Sequence, residues 1–173
     1  MTAEKFNIIL ADPPWPCNSA KKHYRLMTVN EICALPVAEL AAPDCALFLW
    51  VTFPVLPHAF EVIKTWGFLY KTVAFVWVKR NRITPGYFLG MGQWTRANAE
   101  VCLLATKGTM KRKSAAVRQV IDASVEEHSK KPDETRDRII ELMGDLPRVE
   151  LFARQTPPGW AVWGNEVENT ITM

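Results

Sequence analysis

The feature that most constrains the fold is a run of apolar residues, CALFLWV, at positions 45–51. A strand that faces water on one side alternates apolar and polar residues, whereas a strand buried on both faces is apolar throughout. The run therefore predicts a central strand in a mostly parallel sheet that is covered on both faces.

The rest of the chain alternates strand and helix patterns, which predicts a three-layer α/β fold. Helices are predicted at 30–40, at 55–66 and from Pro132 to near Gly144. A capping box from Thr28 to Glu31 begins the first helix, Pro36 interrupts or ends it, and Gly67 ends the second. The other strands are predicted at 6–11, 70–79, 99–108, 148–154 and 159–164.

Length and composition limit the class of protein. A chain of 173 residues, 49% hydrophobic and 23% charged, is typical of one globular domain, here 1–173. It contains neither an apolar run near the ~18 residues of a membrane helix nor a signal-peptide pattern. The four cysteines lack C-x-x-C spacing and a histidine cluster, so we expect reduced thiols, a cytoplasmic location and no metal site.

Basic residues concentrate in three segments, at 21–25, 79–82 and 107–118, although the net charge is only +3. Each segment alone is typical of a solvated loop, but together, with aromatic residues among them, they favour nucleic-acid binding. Residues 80–98 and 107–128 also lack periodicity, which is typical of functional loops or of disorder.

The segment Asp12-Pro13-Pro14-Trp15 follows the first predicted strand. Successive prolines continue neither a helix nor a central strand, and ligands of open parallel sheets bind beyond the carboxyl ends of strands. The Asp12 carboxylate and a carbonyl of the stiff turn could accept both N–H groups of an exocyclic amine on an extruded nucleobase. Trp15 could stack on the base or pack against the loop. The alternative is a strand-ending turn with a helix cap and a core tryptophan.

Other chemistries find less support in the sequence. It contains neither a phosphate-binding G-x-x-x-x-G-K motif nor a G-x-G-x-x-G between a strand and a helix, and it has no G-x-S-x-G nucleophile motif. Hydrolysis by paired carboxylates stays open, although nothing singles out a second acid.

Eight short blocks resemble, in order, the MT-A70 family of N6-adenine methyltransferases, and in particular its compact bacterial and phage members. They are ADPPW, YRLMTVNEI, LFLWVT, WGF…VAFVWVK, NAEVCLLATKG, HSKKPDE, VELFAR and GWAVWGNE, and they span about residues 6–167. The resemblance implies a Rossmann-like fold that uses S-adenosyl-L-methionine, with the catalytic motif before the cofactor motif in the chain. The ordered set is more specific than D-P-P-W alone, which other amino-methyltransferases share in looser form.

The resemblance also implies roles for individual residues. Asp12 and the Pro13 carbonyl, within the catalytic segment Asp12, Pro13, Pro14 and Trp15, would accept the hydrogens of adenine N6, and Tyr24 would line the acceptor pocket. Lys131 would pair with the cofactor carboxylate, and Asp12 would lie near the cofactor ammonium. The implied cofactor-binding set is Asp12, His128, Ser129, Lys131, Phe152, Arg154, Asn165 and Glu166.

Longer family members carry an upstream strand and an acidic residue that help hold the cofactor adenine. With six residues before Asn7, we do not expect that strand in this sequence. We also expect no separate target-recognition domain in this sequence, so specificity is expected from the loops at 16–27, 80–98 and 107–128. Their candidate phosphate contacts are Lys21, Lys22, Arg80, Arg82, Lys111, Arg112 and Lys113.

We therefore expect an N6-adenine methyltransferase that acts on nucleic acid, with DNA favoured over RNA. The alternatives are RNA N6-adenosine methylation, N4-cytosine methylation, and a catalytically silent nucleic-acid-binding homologue, which the intact Asp12 disfavours. A homodimer or a partner chain is possible, since the resemblance includes enzymes that pair an active chain with an inactive one.

Overall fold

The computed structural model describes residues 5–16, 25–92, 94–127 and 130–173. Its strands are β1 Phe6–Ala11, β2 Ala41–Val51, β3 Leu69–Arg80, β4 Ala99–Lys107, β5 Val120–Ser124, β6 Arg148–Leu151 and β7 Ala161–Trp163. Its helices are α1 Val29–Cys33, α2 Val37–Leu40, α3 Leu56–Thr65 and α4 Glu134–Met143, with a 3₁₀ turn at Phe53–Val55. The predicted α/β class is confirmed.

The strands form one sheet in the order β5-β3-β4-β2-β1-β6-β7. Strand β4 is antiparallel to both of its neighbours, and all the other pairs are parallel. Strand β4 therefore runs against the other six. The end of the sheet where those six strands finish and β4 begins is called here the carboxyl end.

Apolar side chains cover both faces of the sheet, as the run at 45–51 predicts. Ile32 of α1 and Val62 of α3 pack in the core on one face. Ile139 of α4 packs with Trp50 and Phe75 on the other. Since helices lie on both faces, the three-layer prediction is confirmed, and the residues that follow the strands are left at the two ends of the sheet.

The predicted helix at 30–40 is divided into α1 and α2. The predicted capping box is present. The Glu31 amide donates to Thr28 Oγ1 at 3.2 Å, and the Thr28 amide donates to Glu31 Oε2 at 2.7 Å. Pro36, which has no N–H to donate, lies between the two short helices. Gly67, with φ of 81°, follows α3 as predicted.

Strand β5 was not predicted, so the interpretation of 107–128 as irregular throughout is wrong. The strand has five residues, and Ile121 is its one buried side chain. It is held by pairing with β3 and by the Trp77 indole, which donates to the Ala123 carbonyl at 2.9 Å. An edge strand of five residues with a single buried side chain has too little pattern to be recognised without its partner.

Among the residues that the structure describes, no helix has the length and apolar character needed to cross a membrane.

Candidate active site

Asp12 lies at the carboxyl end of the sheet, directly after β1, and the two prolines after it form a fixed turn. The Trp15 amide donates to the Pro13 carbonyl at 2.8 Å, and the Met27 amide donates to the Pro14 carbonyl at 2.9 Å. Because a carbonyl oxygen has two lone pairs, the Pro13 oxygen can accept a second hydrogen beside the Asp12 carboxylate.

Trp15 anchors this turn to the neighbouring strand. It is 6% exposed, and its indole N–H donates to the Trp50 carbonyl at 2.8 Å. These are the contacts of a packed core residue, and its small exposed part lines the cavity described below. The indole therefore fixes the position of Asp12 relative to β2.

Four charged side chains of alternating sign form what we call the buried ion chain: Lys79, Glu100, Lys131 and Asp12. Lys79 Nζ lies 2.5 Å from Glu100 Oε1, and Lys131 Nζ lies 3.2 Å from Glu100 Oε2 and 2.7 Å from Asp12 Oδ2. Three of the side chains are 12–18% exposed, whereas Asp12 keeps 34% exposed. Asp12 is thus the member most open to a ligand.

Burial and neighbouring charge shift the pKa values along the chain in different directions. Burial raises the pKa of Asp12; Lys131 opposes this shift and Glu100 adds to it. Burial also acts to raise the pKa of Glu100, but Lys131 and Lys79 together hold it below its ordinary value. For Lys131 burial acts to lower the pKa, yet Asp12 and Glu100 hold it above its usual range.

Sequence reasoning missed Glu100. It lies in the NAEVCLLATKG block, where it is an acid among apolar residues at the start of a predicted strand. The position of this acid could be used as a signal only if the direction of β4 was known. Because β4 is reversed, its amino end lies at the same end of the sheet as the carboxyl end of β1, with β2 between the two strands.

A cavity of about 670 Å³ opens at the carboxyl end of the sheet. Glu100 borders it, and so does every predicted catalytic or cofactor-binding residue in the described part of the chain: Asp12, Pro13, Pro14, Trp15, Lys131, Phe152, Arg154, Asn165 and Glu166. A smaller cavity of about 230 Å³ shares Asp12, Lys131, Phe152, Arg154 and Glu166. The fold thus gathers segments that are up to 154 residues apart, from Asp12 to Glu166.

The ends of β6 and β7 form one wall of this cavity. Phe152 has φ of 61°, a conformation that L-residues seldom adopt, and its ring packs edge-on against Trp163 at 5.5 Å. A Cβ at Gly164 would lie 2.2 Å from the Ala153 carbonyl oxygen, so only glycine fits this close approach. The contact brings Asn165 and Glu166 beside the β6 end, where Glu166 Oε1 lies 3.4 Å from Arg154 Nε.

The predicted phosphate contacts divide into two groups. Arg80 ends β3 at the carboxyl end, where its guanidinium makes two 2.6 Å hydrogen bonds with Asp122 and lies 4.2 Å from the centre of the Tyr87 ring. Arg82 is exposed in the loop that follows. Both lie near the end of the sheet that carries Asp12.

Lys111, Arg112 and Lys113 follow β4 at the opposite end of the sheet. Lys107 at the end of β4 pairs with Cys45 near the start of β2, and the Lys113 amide donates to the Leu142 carbonyl at 2.7 Å. The structure therefore does not bring these three cations to the cavity, because β4 runs opposite to the strand that carries Asp12.

Five of the predicted residues lie outside the described residues: Lys21, Lys22, Tyr24, His128 and Ser129.

Comparisons with known proteins place the chain in a family. The family model MT-A70 matches residues 6–166. The chain is 32% identical to the type II methyltransferase M.MunI of Mycoplasma sp, an alignment that covers 98% of this chain and 82% of that protein.

Eukaryotic relatives match over a smaller share of their own length. The chain is 34% identical to the N(6)-adenosine-methyltransferase MT-A70-like protein of Arabidopsis thaliana, over 94% of this chain and 24% of that protein. It is 32% identical to the N(6)-adenosine-methyltransferase catalytic subunit METTL3 of Homo sapiens, over 95% of this chain and 28% of that protein. The chain spans about a quarter of the length of these relatives.

Proposed function

The chain belongs to the MT-A70 family, whose model matches residues 6–166, and on that premise we propose that it methylates the N6 amino group of adenine in DNA with S-adenosyl-L-methionine as the methyl donor. The observation that carries the proposal is Asp12, a carboxylate with a third of its side chain exposed, beside the Pro13 carbonyl in a cavity of about 670 Å³.

The residues of the cavity fit the cofactor. Its amino-acid half carries a carboxylate and an ammonium group, and Lys131 and Asp12 offer a cation and an anion 2.7 Å apart. Phe152 and Asn165 offer an aromatic face and an amide to the nucleoside half, and a volume of about 670 Å³ is in the usual range for a ligand site. When bound, the cofactor supplies a methyl group activated by a sulfonium centre.

The chain's own residues would recognise and orient the adenine amine. Asp12 accepts one amino hydrogen and the Pro13 carbonyl accepts the other, which draws the nitrogen lone pair out of conjugation with the ring. The proline turn and the Trp15–Trp50 hydrogen bond hold both acceptors in place before the base arrives. Positioning and electrostatics of this kind supply most of the catalysis.

DNA is proposed as the polymer because M.MunI, a relative of comparable length, is named a type II methyltransferase. The names of the longer eukaryotic relatives favour N6-adenosine in RNA as the second candidate. We also propose that the protein works in the cytoplasm, since Cys33, Cys45 and Cys102 are free thiols. A second copy or a partner chain could complete the cofactor site.

The test is transfer of tritiated methyl groups from S-adenosyl-L-methionine to single-stranded DNA, duplex DNA and RNA, followed by nucleoside analysis of the product. N6-methyladenine from DNA is the expected result. N4-methylcytosine would overturn the choice of base, and transfer to RNA alone would overturn the choice of polymer. If no polymer is methylated but DNA is bound, the protein is a silent binding homologue.

A further inference from the structure

The segment between β3 and β4, residues 81–98, exposes large apolar side chains to solvent, and we call it the 81–98 loop. Trp94 is 98% exposed, and Met91 and Ile83 are each 92% exposed. Tyr87, Phe88 and Leu89 of the same segment are also exposed, and such a concentration of large apolar side chains is typical of a binding surface. The active-site proposal gives none of these side chains a role.

Backbone contacts give this loop a defined shape. The Phe88 amide donates to the Lys79 carbonyl at 2.8 Å, and the Gly90 amide donates to the Ala97 carbonyl at 2.9 Å. Further out, a Cβ at Gly92 would lie 1.7 Å from the Thr95 carbonyl oxygen, so only glycine fits at position 92. Met91 and Trp94 therefore lie at the tip of this projection, beyond the contact between Gly90 and Ala97.

The base of the projection adjoins the active site. The Lys79 amide donates to the Asn98 carbonyl at 2.9 Å, which closes the loop next to β4. Lys79 and Glu100, on the two sides of that closure, belong to the buried ion chain that ends at Asp12. The tip therefore rises from the carboxyl end of the sheet, where the proposed target base would bind.

The charge of the segment favours nucleic acid over protein as the occupant. The 81–98 loop contains Arg82 and Arg96 and no aspartate or glutamate, whereas Lys79 and Arg80 just before it are paired with Glu100 and Asp122. Arg82 and Arg96 are exposed on the loop itself. In a complex with DNA, the two arginines could contact backbone phosphates while the apolar tip contacts an opened base step between them.

We propose that Trp94, supported by Met91, enters the base stack of duplex DNA at the position that the target adenine leaves. The proposal rests on the proposed function, because the N6 amine of a paired adenine cannot reach Asp12 until the base leaves the helix. A large apolar side chain in the vacated space replaces the lost stacking and slows the return of the base.

The experiment compares methyl transfer by Trp94→Ala with the unmodified protein, on a duplex that carries a mapped methylation site and on the same strand alone. We expect transfer to the duplex to fall about tenfold and transfer to the single strand to stay within about twofold. Trp94→Phe, which keeps an aromatic ring, should recover most of the duplex activity.

Leu69→Ala is the matched control, because Leu69 is 70% exposed at the start of β3, away from the carboxyl end of the sheet. Equal loss on both DNA forms, or loss on neither, leaves the proposed function standing and overturns the insertion of Trp94. A fall in particle mass of Trp94→Ala by light scattering would also overturn it, in favour of a contact between copies. If the unmodified protein methylates neither DNA form, the proposed function fails, and the insertion proposal fails with it.

Discussion

The carboxyl end of the sheet carries two neighbouring regions of opposite character, the buried ion chain and the 81–98 loop. The ion chain is largely buried and balanced, since the two lysines face two carboxylates. The loop is exposed, apolar at its tip, and carries only positive charge. A balanced, enclosed site suits a small zwitterion, whereas an exposed cationic projection suits a polyanion. The two regions therefore support the proposal that one end of the fold binds both a small cofactor and a nucleic acid.

The variant with the largest expected effect is Asp12→Ala, which tests whether the ion chain carries the chemistry and the loop carries the binding. Loss of the acceptor for the amine should lower kcat by about 1,000-fold. DNA affinity, measured by fluorescence anisotropy, should stay within a few fold. If DNA affinity falls in parallel with kcat, the ion chain also contributes to DNA binding, and the proposed separation of chemistry from binding is wrong.

Lys131→Met tests the role of the ion chain in holding the cofactor. The variant removes the cation proposed for the cofactor carboxylate, so the KM for S-adenosyl-L-methionine should rise about 10- to 100-fold. The matched control is Lys130→Met, because Lys130 pairs with the exposed Glu126 and Asp133 at 2.5 and 3.2 Å. An equal rise in KM for Lys130→Met would show that the loss of any positive charge in this region weakens cofactor binding, and that Lys131 has no specific role.

Glu100→Gln should move the acid limb of the pH–rate profile to lower pH. Asp12 must be ionised to accept the amine, so activity falls as the pH falls through its pKa. Burial raises that pKa and Glu100 raises it further, so the neutral glutamine should lower it. The measurement is kcat/KM against pH, which reports groups of the free enzyme. If the acid limb stays in place or moves to higher pH, Glu100 does not raise the pKa of the group that must be ionised for activity.

The smallest effect is expected at the loop cations. Arg82→Ala should weaken DNA binding a few fold and reduce the slope of log K against log salt concentration by about one. Lys113→Ala, at the opposite end of the sheet, should leave both quantities unchanged. Binding titrations at several salt concentrations check this pair of variants. An equal loss of DNA affinity for Lys113→Ala would show that the binding surface reaches beyond the carboxyl end of the sheet.

Much of the candidate active site was predictable because short motifs in the sequence indicate its residues. A strand followed by Asp-Pro-Pro-Trp predicts a turn with a carboxylate at the carboxyl end of a sheet, and β1 ends at Ala11 as expected. The order of blocks predicted Lys131, Phe152, Arg154 and Asn165, and the structure brings all four to one cavity. Their proposed roles there stay predictions.

The less predictable parts depend on partners far along the chain. Strand β5 is recognisable only beside β3, and the placement of Lys111–Lys113 depends on the direction of β4. The same holds for Glu100, which lies 31 residues before Lys131 in the sequence but 3.2 Å from its Nζ in the fold.

The sequence by itself determined the α/β class and the turn at Asp12, because apolar periodicity and proline geometry act within a few residues. The resemblance of its ordered blocks to a known family indicated Lys131, Phe152, Arg154 and Asn165, but not Glu100. Tertiary structure alone decided that β4 is reversed, that Glu100 joins Asp12 through Lys131, and that the cations after β4 lie away from the active site. Strand direction is set by the packing of the whole sheet, so no short segment encodes it.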